Sequence, residues 1–176
     1  MRNKKTKSIA FSAILSALSV SFLYLGSVIE VLDLSTAALT SFLVVFAVIE
    51  LGGAYPYLIW ACTSAISLLL LPNKLPALLY LFFAGIYPIL KALFERYRPL
   101  FSWSLKMSSF FIMLFGAYLA ARFVFLLPEV SYAYDIVFVV LATLAFVLYD
   151  IAMSKIILLY LVKLRKRLRI NNIFKD

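Results

Sequence analysis

The chain is dominated by apolar stretches of about 20 residues that alternate with short polar or basic segments. An α-helix of this length matches the roughly 30 Å hydrocarbon core of a bilayer. Because 65% of the residues are hydrophobic, few positions remain for the polar surface of a soluble domain. The pattern predicts an all-α membrane protein folded as a single domain. The six predicted spans are residues 9–29, 37–51, 54–71, 75–93, 107–127 and 135–162.

Glycine and proline mark the predicted ends of several spans. Gly52 and Gly53 separate spans 2 and 3, and the sequence Pro72-Asn73-Lys74 has the residue chemistry of a tight turn. Pro88 predicts a kink near the far end of span 4, because proline cannot donate the helical hydrogen bond. Residues 94–106 contain several charged side chains and are predicted to be the longest internal loop.

The formal charge of +9 is unevenly placed. Basic residues gather at the N-terminus, between spans 4 and 5, and in residues 163–169, whereas acidic residues mark the connections on the other side. Positive segments normally remain in the cytoplasm, so we expect both termini to be cytoplasmic and the protein to reside in a bacterial plasma membrane. Anchoring on anionic lipid explains the basic tail. The charge pattern does not predict a nucleic-acid partner.

The residue types needed for common catalytic and metal sites are scarce. The chain has no histidine and one cysteine, Cys62. An internal disulfide is therefore excluded, and neither Cys/His metal-site spacings nor the usual catalytic triad is present. We predict no enzymatic activity, no metal and no cofactor. The N-terminal basic segment precedes an apolar run without a clear cleavage site, which predicts a retained first span.

Polar and aromatic residues near the acidic side predict an outward-facing ligand pocket. Arg122 lies within span 5, with Tyr118 one helical turn before it, and an arginine at membrane depth can bind an anionic group. Snorkelling to lipid headgroups, or pairing with nearby carboxylates, is the alternative for Arg122. The other candidate rim residues, which also suit an interfacial aromatic belt, are Asp33, Ser35, Thr36, Asn73, Tyr80, Tyr132 and Tyr134.

Ionisable side chains near the basic side form a second candidate set. These residues are Glu50, Lys91, Asp150 and Lys155. Because isolated charges are costly at membrane depth, we predict an ion-pair network that fixes helix packing. A path for protons or cations is the alternative function for the same residues.

Small residues on span 1 predict close helix packing. Ala13 and Ala17 are four residues apart and therefore share one helix face, where another helix can approach closely. Packing within the bundle itself is the alternative explanation.

The basic N-terminal tail, the Ala13/Ala17 pair, the polar loop before span 2 and the six-span layout together resemble the S component of an energy-coupling factor (ECF) transporter. The resemblance covers the layout of the whole chain. It implies capture of a vitamin-like small molecule from outside, with Ala13 and Ala17 docking on a transmembrane coupling protein that two cytoplasmic ATPases drive. It also places residues 33–36 in a loop that gates the pocket.

Two other functions fit the same chain. The layout is also similar to that of the rod-shape protein MreD, which implies a scaffold of an envelope assembly without transport. An ion-coupled small carrier that uses Asp150 and Glu50 is the third hypothesis.

Overall fold

The computed structural model describes residues 2–120 and 132–164, with side chains described for residues 5–120 except Glu30 and for residues 137–163. Within these residues the backbone is helical or in turns, without any β-strand. The helices are α1 (Arg2–Val28), α2 (Asp33–Glu50), α3 (Tyr55–Leu70), α4 (Leu75–Leu79), α5 (Tyr87–Phe94), α6 (Pro99–Leu119) and α7 (Tyr132–Leu159). A 3-10 turn at Glu30–Leu32 joins α1 to α2, and π-helical segments occupy Tyr80–Ala84 and Tyr160–Leu164.

Five of the described helical segments are long and apolar enough to cross a membrane. They are Lys5–Val28, Asp33–Glu50, Leu75–Phe94, Pro99–Leu119 and Val137–Lys163. Tyr55–Leu70 is apolar but has only 16 residues. The predicted all-helical fold is confirmed, and its helices are compatible with a membrane. The count of six spans stays a prediction.

The chain divides into two compact units, Met1–Ala117 and Tyr118–Asp176. In the first unit α1 packs along both α2 and α3, and α2 also packs against α4 and α5. The apolar core of this unit includes Leu23, Val44 and Ile59, none of which is exposed. The second unit contains α7. The predicted single domain stays a prediction.

The predicted break between spans 2 and 3 is confirmed. Gly52 and Gly53 have φ angles of +62° and +56°, a left-handed conformation that glycine adopts without steric cost. This conformation ends α2 and allows α3 to begin at Tyr55. The predicted turn at residues 72–74 is also confirmed, and the Asn73 Oδ1 atom accepts a hydrogen bond from the Leu75 N–H at 3.0 Å.

Span 4 is interrupted more strongly than the predicted kink at Pro88. The chain passes from α4 into the π-helical segment, makes a turn at Gly85 and restarts as α5. Pro88 has no N–H with which to bond the Ala84 carbonyl one turn earlier. The Gly85 N–H instead donates to the Tyr80 carbonyl at 2.8 Å, the spacing of a π-helix.

The prediction of a loop at residues 94–106 was wrong in its second half, because α6 begins at Pro99. Proline suits the first turn of a helix, where its missing N–H has no partner in any case. The buried residues Ser102, Lys106, Phe110 and Met113 recur at helical spacing and form one face. Two of these four residues are polar, so the segment lacked the apolar pattern that predicts a span.

The crossing of α1 and α2 depends on Gly26. A Cβ atom at this position would overlap the Thr36 Oγ1 atom and lie 3.0 Å from Thr36 Cβ. We expect Gly26→Ala to lower the free energy of unfolding by about 1–3 kcal/mol through overpacking, although alanine favours the helix more than glycine does. Thermal unfolding in detergent measures this effect. The double variant Gly26→Ala/Thr36→Ala should recover most of the lost stability. If Gly26→Ala alone were at least as stable as the parent, this account of the crossing would be contradicted.

Candidate functional site

Three residues tie together the end of the first unit at which α1 ends and α4 begins. The Ser27 hydroxyl donates to the Asn73 carbonyl at 3.0 Å and accepts from the Asn73 N–H at 2.9 Å. The Asn73 side-chain amide donates to Asp33 Oδ2 at 3.2 Å. We call Ser27, Asp33 and Asn73 the cap. It joins the end of α1 and the start of α2 to the turn after α3, and the sequence analysis placed these segments on the same side.

The other predicted ligand residues of the first unit lie in different surroundings. Ser35 is exposed, whereas Thr36 is buried and its hydroxyl donates to the carbonyls of Leu32 and Asp33 at 3.0 and 3.2 Å. Tyr80 was predicted to lie at the rim, but it is fully buried in the π-helical segment. Of the predicted rim residues, the structure thus joins Asp33 and Asn73 directly through their side chains.

The remaining predicted ligand residues belong to the second unit. Tyr118 is about half exposed. Arg122 lies outside the described residues. Tyr132 and Tyr134 lie in α7, where their backbone is helical and their side chains are outside the described set. Ligand binding by these residues stays a prediction.

Among the described residues of the first unit, five buried hydroxyl groups make no hydrogen bond of standard geometry. A serine or threonine inside a helix commonly donates to the carbonyl one turn earlier. Ser12 and Thr40 do so, at 2.9 and 3.0 Å. The five exceptions, which we call the hydroxyl cluster, are Ser19, Thr63, Ser64, Ser67 and Tyr80.

The hydroxyl cluster is divided between α1, α3 and the π-helical segment. Its members are at most 3% exposed, and α3 packs against both α1 and the π-helical segment. The Tyr80 and Thr63 hydroxyls lie close enough to interact, although their geometry is not that of a hydrogen bond. Trp60 fixes the π-helical segment against α3 by donating its indole N–H to the Leu81 carbonyl at 3.0 Å.

At the opposite end of the first unit, two lysines share one carboxylate. The Lys91 ammonium lies 2.9 Å and the Lys106 ammonium 3.2 Å from the same Glu95 oxygen. Both lysines are almost fully buried, and Glu95 is 45% exposed. Lys106 also lies 5.5 Å from the centre of the Trp103 ring, within cation–π range. These contacts connect α5 to α6.

One member of the predicted ion-pair network, Lys91, binds a residue that was not predicted. Lys91 pairs with Glu95, four residues later, and Glu50 is partly exposed at the end of α2. In the second unit Asp150 is buried, its carbonyl accepts from the Ser154 hydroxyl at 2.9 Å, and Lys155 is exposed. Whether the four predicted residues act together stays a prediction.

Helix α1 presents two different faces. Ser12, Ser16 and Ser19 are buried within the first unit, whereas Ala13 and Ala17 are exposed. Small side chains on an exposed face leave room for another helix to approach its backbone closely.

An open groove lies near the start of α6. Its volume is about 520 Å³, and it is lined by Arg98, Pro99, Leu100, Phe101 and Ser104. Because these residues lie where α5 connects to α6, the groove is at the end of the bundle opposite the cap. None of the predicted ligand residues lines it.

The sequence analysis missed Ser27, Glu95 and the three hydroxyls of α3. Thr63, Ser64 and Ser67 interrupt an otherwise apolar span at helical spacing, a signal that was visible in the sequence. Ser27 carried no such signal, because its partner is the backbone of a residue distant in the chain. Glu95 was assigned to a loop, where ion pairing contributes little.

Comparisons with protein-family models, with curated proteins and with solved structures found no match, so the sites are interpreted from their own geometry. Within the described residues, histidine, cysteine, aspartate and glutamate do not gather in groups of three that could hold a metal ion. The chemistry present in the first unit is hydrogen bonding at the cap and the hydroxyl cluster, and ion pairing at Glu95.

Removal of the Glu95 charge should destabilise the first unit. Glu95→Gln leaves Lys91 and Lys106 buried without the carboxylate that they share. We expect the free energy of unfolding to fall by about 1–2 kcal/mol. This is less than for a fully buried pair, because Glu95 is partly solvated. Arg96→Gln is the matched control, since it changes one charge at the adjacent exposed position and should alter stability by at most about 0.5 kcal/mol. Equal melting temperatures for the two variants would contradict a structural role for Glu95.

Proposed function

We propose that the protein is the substrate-capture subunit of an ECF-type importer in a bacterial plasma membrane. In this role it has six spans and cytoplasmic termini, receives a small solute from outside, and docks on a transmembrane coupling protein with two ATPases. The observation that carries the proposal is the division of α1 into a buried hydroxyl-bearing face and an exposed small-residue face. One face suits a polar solute inside the bundle, and the other suits a partner helix in the membrane.

The cap supports entry of the solute from the outer side. Ser27, Asp33 and Asn73 close the end of the bundle that carries the acidic connection, whereas the Lys91–Glu95–Lys106 cluster lies at the basic end. Acidic connections are expected outside and basic ones in the cytoplasm. The cap bonds are few and neutral or singly charged, so each contributes only about 0.5–3 kcal/mol. A closure of this strength can open and reform during binding.

Docking through α1 predicts different effects at two adjacent exposed positions. Ala17 and Leu18 are both exposed on α1, but they point about 100° apart around the helix. Ala17→Trp should abolish co-purification with a co-expressed coupling protein and its ATPases, because the indole prevents close helix approach. Leu18→Trp should retain it, since a large apolar side chain already occupies that position. The same result for both variants would argue against docking through the Ala13/Ala17 face.

The proposed orientation predicts the sidedness of two engineered cysteines. In a Cys62→Ser background, Ser35→Cys marks the cap end and Arg98→Cys the connection between α5 and α6, both at exposed positions. A membrane-impermeant maleimide added to intact cells should label the cysteine at residue 35. The cysteine at residue 98 should react only after permeabilisation. Labelling in the reverse order would invert the orientation and exclude solute entry through the cap.

A further inference from the structure

The hydroxyl cluster lies at membrane depth, below the cap. Because Ser27 at the end of α1 bonds Asn73 just after α3, these two helices run in the same direction. With a rise of about 1.5 Å per residue, Ser19 lies about 12 Å below Ser27. By the same measure Ser67 and Thr63 lie about 5 and 11 Å below the end of α3, and Tyr80 lies about 8 Å beyond Leu75. The five residues thus lie roughly 5–12 Å from the cap end of the bundle.

These hydroxyls lie among apolar residues of the core. Leu23, Ile59 and Leu71 are at most 1% exposed and belong to the same core cluster as Tyr80. A buried hydroxyl without a hydrogen bond costs free energy, and the cost is large where water is excluded. Alanine or valine would fill such positions without this cost. Five such hydroxyls on elements that pack against one another indicate a site whose polarity serves binding rather than folding.

We infer, on the basis of the proposed function, that the hydroxyl cluster is the ligand-contact site and that it binds an uncharged solute rich in hydroxyl or carbonyl groups. Each hydroxyl both donates and accepts a hydrogen bond, so the cluster suits a ligand with mixed donors and acceptors. The members of the cluster are all neutral. A charged solute placed here would need an opposite charge to offset its desolvation.

The buried charged side chains described in the first unit, Asp33, Lys91 and Lys106, are engaged at its two ends. Lys91 and Lys106 bind Glu95 at one end, and Asp33 accepts from Asn73 in the cap at the other. The backbone of the π-helical segment that carries Tyr80 is held by the Trp60–Leu81 bond at 3.0 Å.

The test compares two triple variants of the full-length protein. The first, Thr63→Val/Ser64→Ala/Ser67→Ala, removes three cluster hydroxyls and keeps the side-chain volume nearly constant. The matched control, Thr40→Val/Ser21→Ala/Ser109→Ala, removes one threonine and two serine hydroxyls that donate to carbonyls three or four residues earlier in their own helices. A small-molecule filtrate of rich growth medium is separated by ion exchange into a neutral and an ionic fraction. The shift in melting temperature in each fraction reports binding.

The neutral fraction should stabilise the parent and the control variant, and the ionic fraction should not. Without solute, the cluster variant should melt at or above the temperature of the parent, because hydroxyls without partners contribute no stability. Its affinity for the neutral component should fall roughly a hundredfold, at about fivefold for each neutral hydrogen bond lost. If the cluster variant fails to fold, Ser64→Ala and Tyr80→Phe are measured singly. Each should lower the affinity for the neutral component about fivefold.

Three outcomes would overturn the inference. Stabilisation by the ionic fraction alone would exclude an uncharged ligand, and an unchanged response of the cluster variant would exclude this location. Both of these outcomes leave the capture function standing. A parent that responds to neither fraction would overturn the inference and the capture function together.

Discussion

The need to satisfy buried hydrogen-bonding groups within an apolar chain is the constraint on which the rest of this structure depends. A peptide group without a partner in hydrocarbon costs several kcal/mol, so an apolar chain must satisfy its backbone within each helix. The described residues follow this rule, and where Pro88 removes one helical donor the chain changes to π-helical bonding and a turn. Many serine and threonine hydroxyls follow the same rule by donating to a carbonyl one turn earlier.

Some polar side chains do not donate to a carbonyl of their own helix, and these side chains mark the parts of the first unit that do more than form helices. At the cap, Ser27 and Asn73 use their hydrogen bonds to join segments distant in the chain. Below the cap, the hydroxyl cluster is buried without standard hydrogen bonds. At the other end, Lys91 and Lys106 converge on Glu95, so their buried charge is partly offset near the solvent-exposed edge. The first unit thus has polar ends and a neutral, hydroxyl-bearing interior.

Helix α1 links this interior to the exterior. Ser12, Ser16 and Ser19 are buried against neighbouring helices, while Gly26 lets α2 cross closely at Thr36. On the opposite side Ala13 and Ala17 remain exposed. Association of helices in lipid relies on close packing, because lipid chains are as apolar as leucine. A small-residue face on the same helix that borders the hydroxyl cluster would bring a docking partner near the proposed ligand.

The sequence by itself determined the helical class, the turn at residues 72–74 and the break at Gly52 and Gly53, because these follow from local hydropathy and backbone preferences. It also predicted that Asp33 and Asn73 share one side. Only the tertiary structure decided that Tyr80 is buried, that Glu95 is the partner of Lys91 and Lys106, and that α6 begins at Pro99. The physical reason is that hydropathy reports whether a segment prefers lipid, whereas a polar side chain inside a bundle is placed by the helix packed against it.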